Sequence, residues 1–521
     1  MSLRTALTRP ARYGALASGV LPVLTFPGAG LAWLAWAALV PGLLLMRAAG
    51  GAREAVVRGW WFGAGFILTG MYWLIPSIGP GLPVLAVLFG VLQAPFGLAA
   101  WWLLHGEPTL RRAAAALAVL PAVWVCAEYA RSWNALGGPW ALFGATQWEH
   151  PAVLGLASIG GVWLVSWALV AANTALAVLL CAHGSRVRAL AGATALSSVL
   201  AGPLVFAAQA APATSGSASV TLVQAGSTPD EQARLEANAR ITRSLAGRPT
   251  DLIVWGESST TEDLDRRPET VARLAALSRL TGAQLLVGED ARKADGRISK
   301  DAVLVDGSGV LARYRKIRLV PFGEYIPLRP LLGWIAGVSA AAGENRAPGS
   351  SVHLLPVADR DGRALPVGAL VCFESAFPDM SRTMARQGAA LIVYQSATST
   401  FQSTWAPAQH ASLGALRAAE TGRPVVQAAL TGESVAYDAQ GRRLVRLGTD
   451  GSGAVTADLA LADPAARTWY VRLGDWVPML SLAAVLAAAA TAAGPALRER
   501  RRRRPGPPAA SAPTDVPPAR V

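Results

Sequence analysis

Three residues of this 521-residue chain carry side chains suited to nucleophilic chemistry and stand where short apolar runs end. Glu257 follows DLIVWG, Lys316 follows GVLARYR, and Cys372 follows LPVGALV. A free cysteine has a pKa near about 8.5, so a base or a cation must favour its thiolate. Glu257 can take the thiol proton, because a carboxylate in a site poor in water has its pKa raised toward that task. Lys316 can stabilise a tetrahedral oxyanion, a contribution of roughly 3 to 4 kcal/mol in acyl-transfer enzymes. Together the three could carry acyl transfer through a thioester. Each also has a plainer role: Glu257 could solvate a loop, Lys316 could be a surface charge, and Cys372 could be a small buried hydrophobe. Their common position at the C-terminal ends of predicted strands favours the chemical role, because strand ends of a layered sheet converge on one rim.

Few other residues compete for that part. Cys126 and Cys181 fall inside or at the end of apolar segments and read as helix-packing residues, so the three cysteines give no disulfide framework. The five histidines show no HxxxH spacing and the cysteines no CxxC; no metal site and no cofactor are expected. Of the 47 basic side chains only Lys293, Lys300 and Lys316 are lysine. A lysine that survives such an arginine bias tends to need a compact, titratable amine. Lys316 fits that reading, whereas Lys293 and Lys300, near Asp295 and Gly296 in a polar turn, are expected to carry no such role.

The elements that must hold these residues sit in an unusual frame. Hydrophobic residues make up 52% of the chain and charged residues only 15%, against about a quarter in soluble domains. With a mean hydropathy of +0.36, the chain reads as an integral membrane protein. Its net charge of +14 would suit nucleic acid, but the basic residues lie in short clusters between apolar segments and in RERRRRR at 498–504. That placement fits membrane topology, and no nucleic-acid partner is expected. A membrane helix needs about 20 mostly apolar residues. Cutting at charges gives seven candidates in a membrane domain of residues 1–212: 13–28, 30–46, 57–78, 82–104, 112–131, 153–181 and 189–210. Arginines flank alternate loops, which predicts a cytoplasmic N-terminus and an extracytoplasmic segment after the seventh span. From 217 to 463 short β-rich runs alternate with amphipathic helices at 230–245, 268–280, 374–387 and 409–421, which predicts a layered α/β domain. An eighth span is expected within 470–495, followed by a basic, proline-rich, disordered cytoplasmic tail at 496–521.

Glu257 in VWGES, Lys316 with LVPFGEYIP at 319–327, and Cys372 in CFES resemble the Glu-Lys-Cys triad of the nitrilase, or carbon-nitrogen hydrolase, superfamily. With APAQH and LRAAETGRPVV downstream, the membrane frame looks like the apolipoprotein N-acyltransferase family. The resemblance implies a nitrilase-like αββα domain inserted between transmembrane helices, seven before and one after, in the bacterial cytoplasmic membrane. It implies a monomer that takes an acyl chain from a membrane phospholipid onto Cys372. The acceptor would be the N-terminal α-amine of a diacylglyceryl-modified apolipoprotein. Glu257 is then the general base, Lys316 polarises the intermediate, and Glu324 and Glu374 are supporting carboxylates. Phe373 stands where the family commonly carries tyrosine, and its ring could pack against an acyl chain.

Two loops depart from the family pattern: SATSTFQ at 396–402 replaces a TNDAWFG-like stretch, and VQAGSTPDEQ replaces a VQGNIPQ-like one. These departures keep open a membrane-tethered amidase, or an acyltransferase with a different amine acceptor. Trp334, in the apolar LLGWIAGVSAAAG, reads either as a lid that dips into the outer leaflet or as core. Trp60, Trp61, Trp73, Trp101, Trp102, Trp133 and Trp140 are expected to anchor span ends at the membrane interface.

Overall fold

Short runs rich in Val, Leu, Ile and Ala pair into twelve strands between Thr214 and Ala462. The computed structural model describes residues 10–209, 213–337 and 343–502. The strands are β1 (Thr214–Gln224), β2 (Leu252–Trp255), β3 (Gln284–Arg292), β4 (Ile298–Asp306), β5 (Gly309–Arg315), β6 (Leu355–Ala358), β7 (Ala364–Val371), β8 (Leu391–Ser396), β9 (Val425–Ala429), β10 (Ser434–Tyr437), β11 (Arg443–Leu447) and β12 (Gly453–Ala462). They form two six-stranded mixed sheets, ordered β12-β1-β2-β3-β4-β5 and β11-β10-β9-β8-β7-β6. At the centres, β1, β2 and β3 run parallel, as do β7, β8 and β9. Strands β2, β8 and β9 are buried at every position, as parallel strands covered on both faces must be.

The helices Glu231–Arg243 and Pro268–Thr281 pack against the first sheet, and Pro378–Gln387 and Ala406–Thr421 against the second. The sheets meet face to face. The side-chain amide of Gln395 on β8 donates to the Trp255 carbonyl at 2.8 Å and the Leu286 carbonyl at 3.1 Å across the gap. The expected α/β layering is therefore present. Strands β6 and β11 escape the sequence pattern because Pro356 interrupts one and Arg443 and Arg446 punctuate the other. Both lie at outer edges of the second sheet, where a missing ladder donor or a charge is tolerated.

The N-terminal region is built of apolar helices. Among the described residues, four have the length and composition to cross a membrane: Gly81–Leu104, Leu110–Arg131, Ala157–Cys181 and Ser185–Ala208. A fifth is possible if Ala52–Gly70 and Tyr72–Ile78, bent by 56° at their junction, cross together. The count of seven before the α/β domain is not reproduced. Segments 13–28 and 30–46 break into the short helices Pro10–Ser18, Leu21–Thr25, Ala32–Trp36 and Val40–Arg47, with Pro22 and Pro41 at the breaks. After the α/β domain, Trp476–Ala492 is apolar but short, and its helix continues to Arg502, into the segment expected to be tail. Residues 503–521 lie outside the described residues.

Helix Ala157–Cys181 is kinked at Gly160 and Gly161, where Gly161 has φ +68°. The kink releases the Val162 N–H from the helix ladder, and Oε1 of Glu420 in the α/β domain accepts it at 2.8 Å.

Candidate active site

Strand β7 ends at Val371, and Cys372 opens a tight helical turn, Cys372–Ala376, with φ +49°. A left-handed conformation at a non-glycine residue is strained and persists only where its surroundings impose it. Glu374 supplies much of that constraint. Its fully buried carboxylate accepts from the backbone N–H groups of Val371 at 2.8 Å, Ile317 at 2.8 Å and Arg318 at 3.1 Å, and from the Tyr314 hydroxyl at 2.9 Å. One side chain thereby ties the Cys372 turn to the segment that follows β5 and carries Lys316. Burial pushes the Glu374 carboxyl up, and the converging N–H donors oppose that push.

Glu257 stands two residues past β2, with its N–H bonded to the Ser396 carbonyl at 3.2 Å. Lys316 follows β5 directly. Its ammonium donates to Glu257 Oε1 at 3.1 Å and to Glu324 Oε1 at 2.8 Å. The PFGEY segment folds back so that the second oxygen of Glu324 takes the Val320 N–H at 2.8 Å. Glu257, Lys316 and Glu324 are buried, and Cys372 is half-buried among them. Glu257 and the backbone N–H of Ala397 both reach the cysteine side chain. The residues singled out from three strand ends thus meet at one place, drawn from both sheets.

The electrostatics fix the resting form. Burial, reinforced by the Glu257 charge and opposed by Lys316, pushes the Cys372 thiol up to about 12. Burial alone would raise Glu257, but Lys300 and Lys316 outweigh it and hold the carboxyl well below its ordinary value. Burial likewise opposes the charge on Lys316, and Glu257 and Glu324 overcome it. At neutral pH the site holds a neutral thiol, a carboxylate and an ammonium, so the thiol proton must leave as the sulfur attacks.

Two lysines correct the sequence reading. Strand β4 starts at Ile298, so Lys300 lies in a strand and not in a polar turn. Its ammonium sits 3.2 Å from Glu257 and 3.1 Å from Asp290, and donates to Ser258 Oγ at 3.0 Å. Lys293 bonds Asp263 at 2.9 Å and Glu289 at 2.8 Å. All three lysines of the chain serve carboxylate networks.

The aromatic surroundings also differ from expectation. Trp140 lies on the loop that follows Leu110–Arg131, and the Arg131 guanidinium holds its carbonyl and that of Ala141. The Trp140 ring stacks on Phe373 with centroids 6.2 Å apart and meets His410 at 5.9 Å. Trp73 packs on Trp140 at 5.3 Å and on Phe401 at 5.1 Å. Through Trp140 this aromatic pair packs on Phe373 and His410 beside the Cys372 turn. His410, buried beside Ser375 and pushed down to about 4 chiefly by burial, is neutral. Only its place in APAQH hinted at it, because its neighbours come from distant segments. Trp334 is 67% exposed, with Leu328 and Leu331 exposed beside it, so the core alternative fails. Residues 338–342 of that apolar stretch lie outside the described residues.

Two family models match the chain: the apolipoprotein N-acyltransferase N-terminal domain over residues 18–175 and carbon-nitrogen hydrolase over residues 219–467. An apolipoprotein N-acyltransferase of Geobacter metallireducens is 30% identical over 505 residues, which cover 91% of this chain and 94% of that protein. The chain belongs to the apolipoprotein N-acyltransferase family. A second relative of that name, from Pseudomonas putida, is 29% identical and covers 84% of this chain and 88% of its own length. Among solved structures, Saccharomyces cerevisiae Nit3, a member of branch 10 of the nitrilase superfamily, is 21% identical and covers 48% of this chain and 92% of its own, with a TM-score of 0.37. A match along nearly the whole N-acyltransferase length disfavours the amidase alternative.

Proposed function

We propose that the protein is an apolipoprotein N-acyltransferase in which Cys372 carries the acyl chain, Glu257 moves the proton and Lys316 stabilises the developing charge. In the first half-reaction the thiol proton passes to Glu257 as the sulfur attacks an ester carbonyl of a membrane phospholipid. The oxyanion develops near the Lys316 ammonium, where a preformed cation needs no reorganisation. The carbon–oxygen bond then breaks, Glu257 returns the proton to the leaving oxygen, and a lysophospholipid departs from a Cys372 thioester. In the second half-reaction the N-terminal α-amine of a diacylglyceryl-modified apolipoprotein attacks the thioester. The carbon–sulfur bond breaks, the amine proton returns to sulfur by way of Glu257, and the amide leaves.

The supporting roles follow from contact. Glu324 anchors Lys316, Glu374 fixes the turn at Cys372, and Phe373 with Trp140 offers an apolar wall for the acyl chain. Trp334 and its exposed leucines form the lid that meets the outer leaflet. The protein works as a monomer in the bacterial cytoplasmic membrane, with residues 217–463 outside and both termini in the cytoplasm, as the arginine-rich alternate loops suggest.

The observation that carries this reading is the meeting of Glu257, Lys316 and Cys372 in one buried cluster within a chain of this family. Incubation with acyl-labelled phospholipid should give a hydroxylamine-sensitive label on the wild-type protein and none on Cys372→Ala. Equal labelling of the two would remove Cys372 from the reaction.

A further inference from the structure

Lys300 and Asp290 face each other across the β3–β4 ladder, which by itself makes an ordinary cross-strand ion pair. The Lys300 ammonium does not stop there. It also lies 3.2 Å from the same Glu257 oxygen that Lys316 binds, and 3.8 Å from Glu324. The backbone explains why the two lysines converge: the Lys316 N–H donates to the Lys300 carbonyl at 2.9 Å where β5 leaves β4. We propose that Lys300 is a positioning residue of the acyl-transfer centre, a second ammonium that clamps Glu257 Oε1 so that the carboxylate stays charged and aimed at Cys372. This rests on the thioester reading above.

A count of the facing charges shows what Lys300 supplies. Glu257, Glu324 and Asp290 contribute three negative charges; the Glu374 carboxyl also faces Lys316 but is held by its own four donors, and His410, which faces Glu257 and Lys316, is neutral. Lys300, Lys316 and Arg346, whose guanidinium lies 3.4 Å from Asp290, contribute three positive ones. These six charges balance around a neutral thiol, and they stay balanced when the thiol proton moves to Glu257. Without Lys300 the set carries one uncompensated negative charge beside the sulfur, which opposes the thiolate and makes Glu257 easier to protonate. The direction of the Glu257 shift agrees, since Lys300 ranks with Lys316 among the groups that hold that carboxyl down. Ser258, which bonds both Lys300 and Asp290, has φ +55°, so the local backbone is held in a strained form where this clamp is built.

The test is the pH dependence of thioester formation, measured with acyl-labelled phospholipid on the full-length protein. With Glu257 held charged, the wild-type rate should be flat from about pH 5 to pH 8. Lys300→Met should be slower by about tenfold at pH 7 and should fall further below about pH 6, as Glu257 becomes protonated there. Lys300→Arg, which keeps the cation, should restore the flat profile. Lys300→Gln keeps hydrogen bonds to Ser258 and Asp290 without the charge, and should show the same acid fall. It therefore decides the matter if the methionine variant does not fold. A flat profile in the neutral variants, at wild-type or at reduced rate, would overturn the clamp. Cys372→Ala, run alongside, separates this from a failure of the thioester reading: label that survives in that variant refutes the nucleophile, whatever Lys300 does.

Discussion

The thiol of Cys372 is pushed up to about 12, which sets it apart from cysteine nucleophiles that rest as thiolates. Glu257 is charged in the same resting site, so the proposed nucleophile is protected until a substrate carbonyl arrives. Alkylation by iodoacetamide, followed on the Cys372 peptide by mass spectrometry, should therefore keep rising by about tenfold per pH unit from pH 7 to pH 10. An ordinary thiol levels off above about pH 8.5. A plateau below pH 9 would mean that Lys316 and Lys300 outweigh burial at the sulfur. At this scale the sequence reading reached Glu257, Lys316 and Cys372, because each ends an apolar run and so has a definite place on the fold. It passed over Lys300, which lies only five residues past Asp295 and reads as part of the turn. The scarcity of lysine was the better guide, since all three lysines sit among carboxylates.

At the scale of elements, the segment after β5 and the turn after β7 belong to different sheets, and the Glu374 carboxylate holds them together through four donors. Glu374→Gln leaves one acceptor oxygen and turns an NH2 group toward N–H donors. Because a buried donor without a partner costs about 1 to 3 kcal/mol, the variant should lose roughly 2 kcal/mol of stability or more. It should also slow thioester formation, since the Cys372 turn and Lys316 would no longer be held in register. A calorimetric melt alongside the labelling assay measures both, and an unchanged melt with full activity would reduce Glu374 to a spectator. Sequence could place Glu374 beside the cysteine but could not show what it binds, because three of its four donors come from 314–318, nearly 60 residues upstream. The parallel strands were legible as continuous apolar runs. Edge strands β6 and β11 were not, since proline and arginine are tolerated only because no further strand pairs there.

For the whole molecule, the α/β domain is joined to the membrane helices by partly buried polar contacts that run through the segment after β12. Arg382 pairs with Asp475 at 2.8 Å, Asp475 accepts from the Trp163 indole at 3.2 Å, and Trp476 donates to the Ile159 carbonyl at 3.0 Å. The kink at Gly160 and Gly161 is the centre of this joint, because it bares the Val162 N–H that Glu420 accepts and makes room for the Tyr470 ring. Composition revealed the membrane helices, yet nothing in their apolar pattern revealed this joint, which depends on a local failure of helical geometry. Gly161 has φ +68°, and a Cβ there would meet the Tyr470 ring at 2.7 Å. Gly161→Ala thus combines backbone strain with overpacking, and should destabilise the protein by about 2 to 4 kcal/mol. If the joint makes one cooperative unit of the two regions, detergent-solubilised protein should melt in a single transition that this variant lowers as a whole. Two transitions, with only one displaced by Gly161→Ala, would mean that the α/β domain folds independently of the helices beneath it.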